Sequence, residues 1–322
     1  MKLIGLASLG FVSVSPLIFS WKEQRKLKSV KRTRTLMGTF VTVIVLDDSE
    51  AKALEAVEVA FEEMERLTKI FSRFDPDSPI FVLNKNGCLR EIHPELQQLF
   101  KEARELNLLT NGYFDVTVKP ILDLLSAKGN GDSSIPFTDI HEILSNIGME
   151  KIIFRKEEIL FSKKGMGITF DGIAKGFIAE KAIEKLKKIG VSSALINAGG
   201  DIQVIGDKGG RPWKIGVRDP LKSERIIETV YLKEGSIATS GSYENYFDED
   251  GKLHHLIDPK SGVSPNRFLS TTVIHPSLTV ADALATALFV CPETQIKSIL
   301  SKFHGASLIV VTSTGAKIRI TG

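Results

Sequence analysis

The chain has 322 residues, 43% hydrophobic and 25% charged, an ordinary globular composition that can bury a substantial core in one large domain or two modest ones. Two cysteines, Cys88 and Cys291, are too few for a disulfide framework or a zinc cluster and read as packing residues. The net charge of +3 is uneven, since residues 22–34 carry seven Lys or Arg against one Glu; the body that follows is mildly acidic, and nothing in it suggests a nucleic-acid surface.

Residues 3–19 (LIGLASLGFVSVSPLIF) form an apolar run behind Lys2, long enough for a signal-peptide core or a short membrane anchor. Neither Ser13-Val14-Ser15 nor Ile18-Phe19-Ser20 makes a convincing cleavage site, and no cysteine is present for lipid attachment. The basic stretch that follows argues, by positive-inside reasoning, for a cytoplasmic flank. Export with a retained anchor is the expectation, with the orientation open. Residues 1–28 are assigned to this segment and its basic flank, and residues 29–322 to the folded domain.

A β-branched run at 35–46 predicts a strand. Asp47, Asp48 and Ser49 then offer caps to a long amphipathic helix with Leu54, Val57, Phe61, Met64, Leu67 and Phe71 on one stripe. Residues 71–84 (FSRFDPDSPIFVLN) read as a loop. Pro94 opens a second helix to about Leu109, ended by Asn111-Gly112. Short helices near 117–126 and 138–147 are joined by a tip at 128–134, and strands follow near 151–155 and 158–162. Ile168 and Phe170 have a β-like pattern, and from Ile173 the spacing of Phe177, Ile178, Ala182, Ile183 and Leu186 predicts a helix. Strands are expected at 194–196, 202–205, 213–217 and 226–232, a helix at 279–290 and another after Pro292. Two closing runs, 306–312 and 317–321, make a hairpin across Thr314-Gly315. Without repeats or a linker, the pattern predicts a single α/β (or α+β) domain with a mixed, largely antiparallel sheet covered by helices.

Several stretches carry chemistry. In residues 169–181 (TFDGIAKGFIAEK), Gly172 and Gly176 strip bulk from the first helical turn. The unpaired N–H groups, the dipole and Lys175 make a phosphate seat there. The same residues also read as an Asp171 N-cap and a solvated lysine, since this is neither a Walker loop nor GxGxxG. In VADALATALF (280–289), Asp282 and Thr286 share one helix face and form the kernel of an oxygen-only site that suits Mg²⁺. Thr279-x-x-Asp282 also reads as a variant capping box. In LHHLIDPKSG (253–262), one histidine is placed to accept a proton near neutral pH, and the other must face away if the two lie on a strand; a surface hairpin histidine is the plainer alternative. NAGGD (197–201) and ATSGSY (238–243) either wrap a ligand with backbone or make tight strand connections. TNGYFDVT (110–117) sets Tyr113 and Phe114 beside Gly112 and Asp115, an aromatic surface for a planar ring.

Taken in order, Met37-Gly38-Thr39, FSRFDPDSPIFVLN, TNGYFDVT, DGIAKG, NAGGD, SIATSGSYENYF, HHLIDPKSG and ADALAT resemble the ApbE family of FAD:protein FMN transferases over roughly residues 35–310. The resemblance implies one catalytic domain that uses Mg²⁺ and takes FAD as substrate. It cleaves the FAD pyrophosphate, joins FMN by a phosphoester to a threonine (or serine) of another protein and releases AMP. It also implies FAD contacts from Met37, Tyr113, Phe114, Asp115, Thr169, Asp171, Lys175 and Leu256. Asp282 and Thr286, with main-chain oxygens around Gly172 and Ala285, would hold Mg²⁺, and His255 would be the base. One departure is visible: many members carry an acidic residue where Thr169 stands, and here Asp171 is acidic instead.

Family acceptors carry an Asp-x-x-(Ser/Thr)-Gly-(Ala/Ser)-(Ser/Thr)-like segment. None is found in this chain, so the acceptor is expected to be a separate protein. The resemblance points to a subunit of a membrane-bound redox complex of NADH:quinone or Rnf type. With the retained anchor expected at the N-terminus, the expected location is the bacterial inner membrane, the catalytic domain facing the periplasm and the orientation open. Hydrolysis of FAD to FMN and AMP, and an exported flavin binder without turnover, are the alternative expectations.

Overall fold

The computed structural model describes residues 27–128, 137–248 and 250–322. The apolar run at 3–19 lies outside them, as does most of the tip at 128–134. Among the described residues no helix is long and apolar enough to cross a membrane.

The described chain begins with a hairpin of β1 (Lys28–Leu36) and β2 (Thr39–Asp47). Sequence reading gave one strand at 35–46; the basic stretch before it is a second. Its Lys and Arg residues hide the pattern because β1 is an edge strand, where charge discourages pairing with another chain. Met37 (φ 54°) and Gly38 (φ 70°) make the turn, and two successive positive φ values are what a tight type I′ hairpin demands. Glycine adopts this freely, whereas methionine does so at roughly 1–2 kcal/mol.

Ser49 caps α1 (Glu50–Phe71), accepting from Lys52 N–H. Its buried stripe runs through Ala53, Val57, Phe61, Met64 and Leu67, while Leu54 is exposed. The expected loop at 71–84 contains α2 (Pro79–Asn86). Ser78 caps it by accepting from Phe81 N–H at 3.0 Å, Pro79 takes the first turn and Gly87 (φ 70°) ends it. Two turns are too short for an apolar period to show.

Next come β3 (Cys88–Arg90), α3 (Pro94–Leu109), α4 (Lys119–Lys128) and α5 (Phe137–Leu144), then β4 (Ile152–Phe154) and β5 (Glu158–Phe161). β3, β5 and β4 form a small separate sheet. Ile168 and Phe170 lie in an irregular segment, not a strand; Asn84 pins it, donating to Ile168 O at 2.9 Å and accepting from Ile168 N at 2.7 Å. After α6 (Ala174–Lys188) come β6 (Ala194–Ala198), β7 (Asp201–Ile205), β8 (Trp213–Asp219), β9 (Lys222–Leu232), β10 (Gly235–Gly241) and β11 (Phe268–His275). The chain closes with α7 (Leu278–Val290), α8 (Glu293–Leu300) and the hairpin of β12 (Ser307–Thr312) and β13 (Lys317–Thr321).

The main sheet runs β1-β2-β6-β7-β10-β11-β12-β13. The largely antiparallel sheet expected from sequence is present, and among the described residues every ladder is antiparallel. On one face α1, α6 and α7 bury Phe61, Phe177, Leu284 and Leu288 in the main core. On the other, the β8–β9 hairpin lays Trp213, Ile215, Val217 and Val230 against Leu46, Val204, Ile237 and Ile309. β10 and β11 lie inside the sheet although SIATSG and FLSTTVIH are rich in hydroxyls. Those hydroxyls find partners: Thr271 Oγ1 donates to Ala285 O at 2.8 Å, and Thr239 and Thr272 share a bond of 2.9 Å.

α6 and α7 come close together at Gly176. A Cβ there would meet Leu278 O at 2.6 Å and Asp282 Cβ at 2.8 Å. Alanine in a helix ordinarily gains about 0.5–1 kcal/mol over glycine, but overpacking costs about 1–3 kcal/mol. Gly176→Ala is therefore expected to destabilise by about 1–2 kcal/mol, read as a lower urea midpoint at unchanged slope. A midpoint equal to or above that of the unaltered protein would mean that the two helices part freely here.

Candidate active site

The two stretches that sequence reading set apart, DGIAKG and ADALAT, meet. Asp282, in the second turn of α7, is 4% exposed, and its Oδ2 accepts from Gly176 N–H at 2.9 Å. That N–H belongs to the first turn of α6, where helix donors lack partners of their own. Lys175 N–H, beside it, has no acceptor among the described residues. Asp171 is not the N-cap: Ile173 occupies that place without a side-chain bond, and Asp171 Oδ2 accepts from Arg73 Nε at 2.9 Å. Nor does Thr279 with Asp282 form a capping box. Ser277 caps α7, and Thr279 donates through both N–H and Oγ1 to Glu180. Asp282 is thereby free for other work, and its Oδ1 accepts no bond among the described residues.

Burial pushes the Asp282 carboxyl up to about 7; Asp201 adds repulsion, and Lys175 acts in the other direction. Lys175 Nζ lies 2.5 Å from Asp201 Oδ2, and Asp201 Oδ1 accepts from Thr239 N–H at 3.3 Å. Burial works against the ammonium charge, but Asp201 and Asp282 together outweigh it and hold Lys175 above its usual value. Thr286, one turn after Asp282, shares a 3.2 Å bond with Ser240. Its Oγ1 lies 3.1 Å from the point a Cβ would occupy on Gly172, so the backbone at 172 comes this close because it carries no side chain.

The two histidine rings meet edge to face, 6.5 Å between centroids, but have different surroundings. His254 is buried against the edge of Phe289, with Nε2 3.2 Å from Pro265 O and Nδ1 accepting from Leu256 N–H. Burial lowers its pKa to about 4, so it packs as a neutral ring. His255 Nδ1 lies 3.3 Å from Asn245 O. A carbonyl can only accept, which assigns the proton to Nδ1 and leaves the Nε2 lone pair available. Burial lowers the His255 pKa; Asn245, Glu244 and Asp171 act to raise it, and Lys175 to lower it.

The residues expected at FAD divide into two groups. Met37 sits at the hairpin tip, partly packed on the core. Gly199 ties that hairpin to the NAGGD turn, donating to Phe40 O at 3.2 Å, and a Cβ on it would strike Thr39 Oγ1 at 2.6 Å. Asp171 is exposed, whereas Thr169 is buried and its Oγ1 accepts from Asp171 N–H at 3.1 Å; of the two, Asp171 is the one open to a ligand.

Tyr113 and Phe114 do not offer the open stacking surface expected from TNGYFDVT. Both are buried: Phe114 lies 3.6 Å from the Cβ position on Gly172, and Lys260 Nζ stands 4.0 Å over the Tyr113 ring. Asp115 serves the fold, its oxygens accepting from Thr117 N–H and Oγ1, Asn107 Nδ2 and Met149 N–H. Leu256 is a core residue. Asp201, Ser240 and Arg73 complete the group without having been singled out. They lie in motifs that were, but their partners are 26, 46 and 98 residues away, and no spacing rule reaches that far.

Asp282 Oδ1, Thr286 Oγ1 and main-chain oxygens are hard donors with a single negative charge, a set that fits Mg²⁺ completing its shell with water and phosphate. Among the described residues no three His, Cys, Asp or Glu side chains converge as a metal cluster. The Ala285 carbonyl, inside α7, accepts from the helix and from Thr271 Oγ1 at 2.8 Å, so it would give up the Thr271 bond to reach a cation.

A glycine-opened helix start beside a cation and an oxygen-only site is the arrangement of a protein that handles phosphate groups. A family model described as the ApbE family matches residues 37–310. The FAD:protein FMN transferase of Haemophilus influenzae is 31% identical over 323 residues, covering 94% of this chain and 92% of that protein. The enzyme of the same name from Vibrio cholerae serotype O1 is 27% identical, with 88% and 87% covered. The apbe protein of Thermotoga maritima superposes with a TM-score of 0.82 at 33% identity, over 91% of this chain and 97% of that one. The apo flavinyl transferase ApbE of Pseudomonas stutzeri does so with 0.76 at 27% identity, over 91% and 94%. This chain belongs to the ApbE family.

Removing one partner of a buried ion pair costs about 3–5 kcal/mol, and the partial exposure of Lys175 moves this pair to the lower end. Asp201→Ala is expected to destabilise by about 3 kcal/mol, and adding Lys175→Met to recover at least about 1 kcal/mol in a double-mutant cycle. Strict additivity of the two urea midpoints would mean that the pair is not coupled.

Proposed function

We propose that the protein is a Mg²⁺-dependent FAD:protein FMN transferase that attaches FMN to a threonine or serine of a separate protein and releases AMP. The observation that carries this reading is the convergence of Gly172, Lys175, Asp282 and Thr286 beside a histidine whose Nε2 lone pair is free.

The acceptor hydroxyl oxygen bonds to the FMN phosphorus of FAD, the pyrophosphate P–O bond breaks and AMP departs. His255 Nε2 takes the hydroxyl proton, while Asn245 O fixes the tautomer through Nδ1–H. Lys175, kept charged by Asp201, and its own main-chain N–H hold phosphate oxygens at the start of α6. Bound Mg²⁺, held by Asp282 Oδ1, Thr286 Oγ1 and main-chain oxygens near Gly172 and Ala285, would neutralise charge on the phosphates. Met37 and Asp171 border the dinucleotide. Where no acceptor is present, water replaces the hydroxyl and the products are FMN and AMP. The length of the apolar run at 3–19 supports a tether at the inner membrane. The catalytic domain would then face the periplasm, within reach of a redox-complex subunit of NADH:quinone or Rnf type.

A positioned base contributes roughly 10²–10⁴-fold. His255→Ala is expected to lose transfer by that factor and to bind FAD as before, measured by in-gel flavin fluorescence of the denatured acceptor and by quenching of free FAD. Because the folded pKa of His255 is lowered, the neutral base is present throughout neutral pH. kcat/KM for transfer should be level above pH 7 and fall only below the usual histidine range. Full transfer by the variant, or a falling limb above pH 7, would remove His255 from the step.

A further inference from the structure

FAD carries the negative charge of its pyrophosphate into a site that already holds several carboxylates. Asp201 is bonded to Lys175, and Asp282 keeps one oxygen for Mg²⁺. Asp171 stands apart from both. Its side chain is 52% exposed, and it directly precedes Gly172, whose backbone lies against Thr286. Its charge reaches both His255 and Asp282, the two groups between which the phosphates would lie. A bare carboxylate there would repel the dinucleotide that Lys175 attracts.

Arg73 supplies the counter-charge. It comes from the loop after α1, and its Nε donates to Asp171 Oδ2 at 2.9 Å. The Arg73 side chain is only 20% exposed, and among the described residues no other cation pairs with Asp171. Lys175 is held by Asp201 and is not free for the task. Glu244 also reaches His255, but from the exposed loop after β10 and not from the turn that seats the phosphates. A part-exposed ion pair contributes little to folding, whereas its effect on an anion bound beside it is direct. We propose that Arg73 is a positioning residue for FAD: by bonding Asp171 it cancels the carboxylate next to Gly172 and lets the dinucleotide phosphates settle beside Lys175. This rests on the transferase reading. The role runs through Asp171, so Arg73 should matter only while residue 171 is charged.

The experiment uses the full chain with Mg²⁺ and measures the FAD dissociation constant by fluorescence quenching. The unaltered protein, Arg73→Gln, Asp171→Asn and the double variant are compared. At low salt Arg73→Gln should weaken FAD binding at least tenfold, whereas the same change made in Asp171→Asn should cost less than threefold. Adding NaCl to about 0.5 M should shrink the Arg73→Gln loss, because repulsion across solvent is screened and a disturbed loop is not. A loss below tenfold in the single variant, or one unmoved by salt, overturns the proposal. So does a loss of threefold or more in the Asp171→Asn background, which would mean that Arg73 touches FAD itself or acts through the Phe74 ring, 4.2 Å from its guanidinium. No FAD binding by the unaltered chain overturns the transferase reading and this proposal with it, which distinguishes the two failures.

Discussion

Asp282 stands at the crossing of α6 and α7, and one of its oxygens is held by the Gly176 N–H. The contact exists because residue 176 has no Cβ; any side chain would meet the α7 backbone first. A buried carboxylate with one bonded oxygen and a pKa lifted to about 7 is costly to maintain unless a cation joins it. The geometry of the whole site follows from this. The Asp282 carboxylate fixes how near the two helices lie, the helix start supplies unpaired donors, and Thr286 reaches Gly172 one turn further on.

The strands beneath the site match it in chemistry. β10 and β11 carry Ser and Thr where a sheet core usually carries Val and Ile, and the hydroxyls of Ser236, Ser240, Thr271 and Thr272 are bonded. Thr271 fixes the carbonyl of Ala285, Ser240 fixes Thr286, and Asp201 at the start of β7 holds Lys175. Functional groups on α6 and α7 are thus held from below by polar side chains of the sheet, an arrangement that limits their freedom before any ligand arrives. The opposite face, under the β8–β9 hairpin, packs an apolar cluster around Trp213, Ile215 and Val204.

Much of this was legible in the sequence wherever periodicity was long. α1, α3 and α6 follow a 3.6-residue apolar spacing and were placed within a few residues, as was α7, which is buried on nearly every side, and the closing hairpin is where Thr314-Gly315 put it. Elements without that signal escaped. β1 is a basic edge, β11 carries three hydroxyls in eight residues and α2 has two turns. The site was legible as a set of motifs and not as a set of contacts. DGIAKG and ADALAT carried Lys175, Asp282 and Thr286, but the partners that give these residues their properties, Asp201, Ser240 and Gly176 N–H, come from pairings that only the fold makes. Tyr113 and Phe114 show the converse. Their composition suggested an open stacking face, and packing against Gly172 and Lys260 buried it.

The central claim is that the Asp282 hollow holds cation and dinucleotide phosphate together, so that each strengthens the other. The direct measurement is FAD affinity with and without Mg²⁺, in the unaltered protein and in Asp282→Asn. The account predicts that Mg²⁺ tightens FAD binding at least tenfold in the unaltered protein and has little effect in the variant. Equal tightening in both would contradict it.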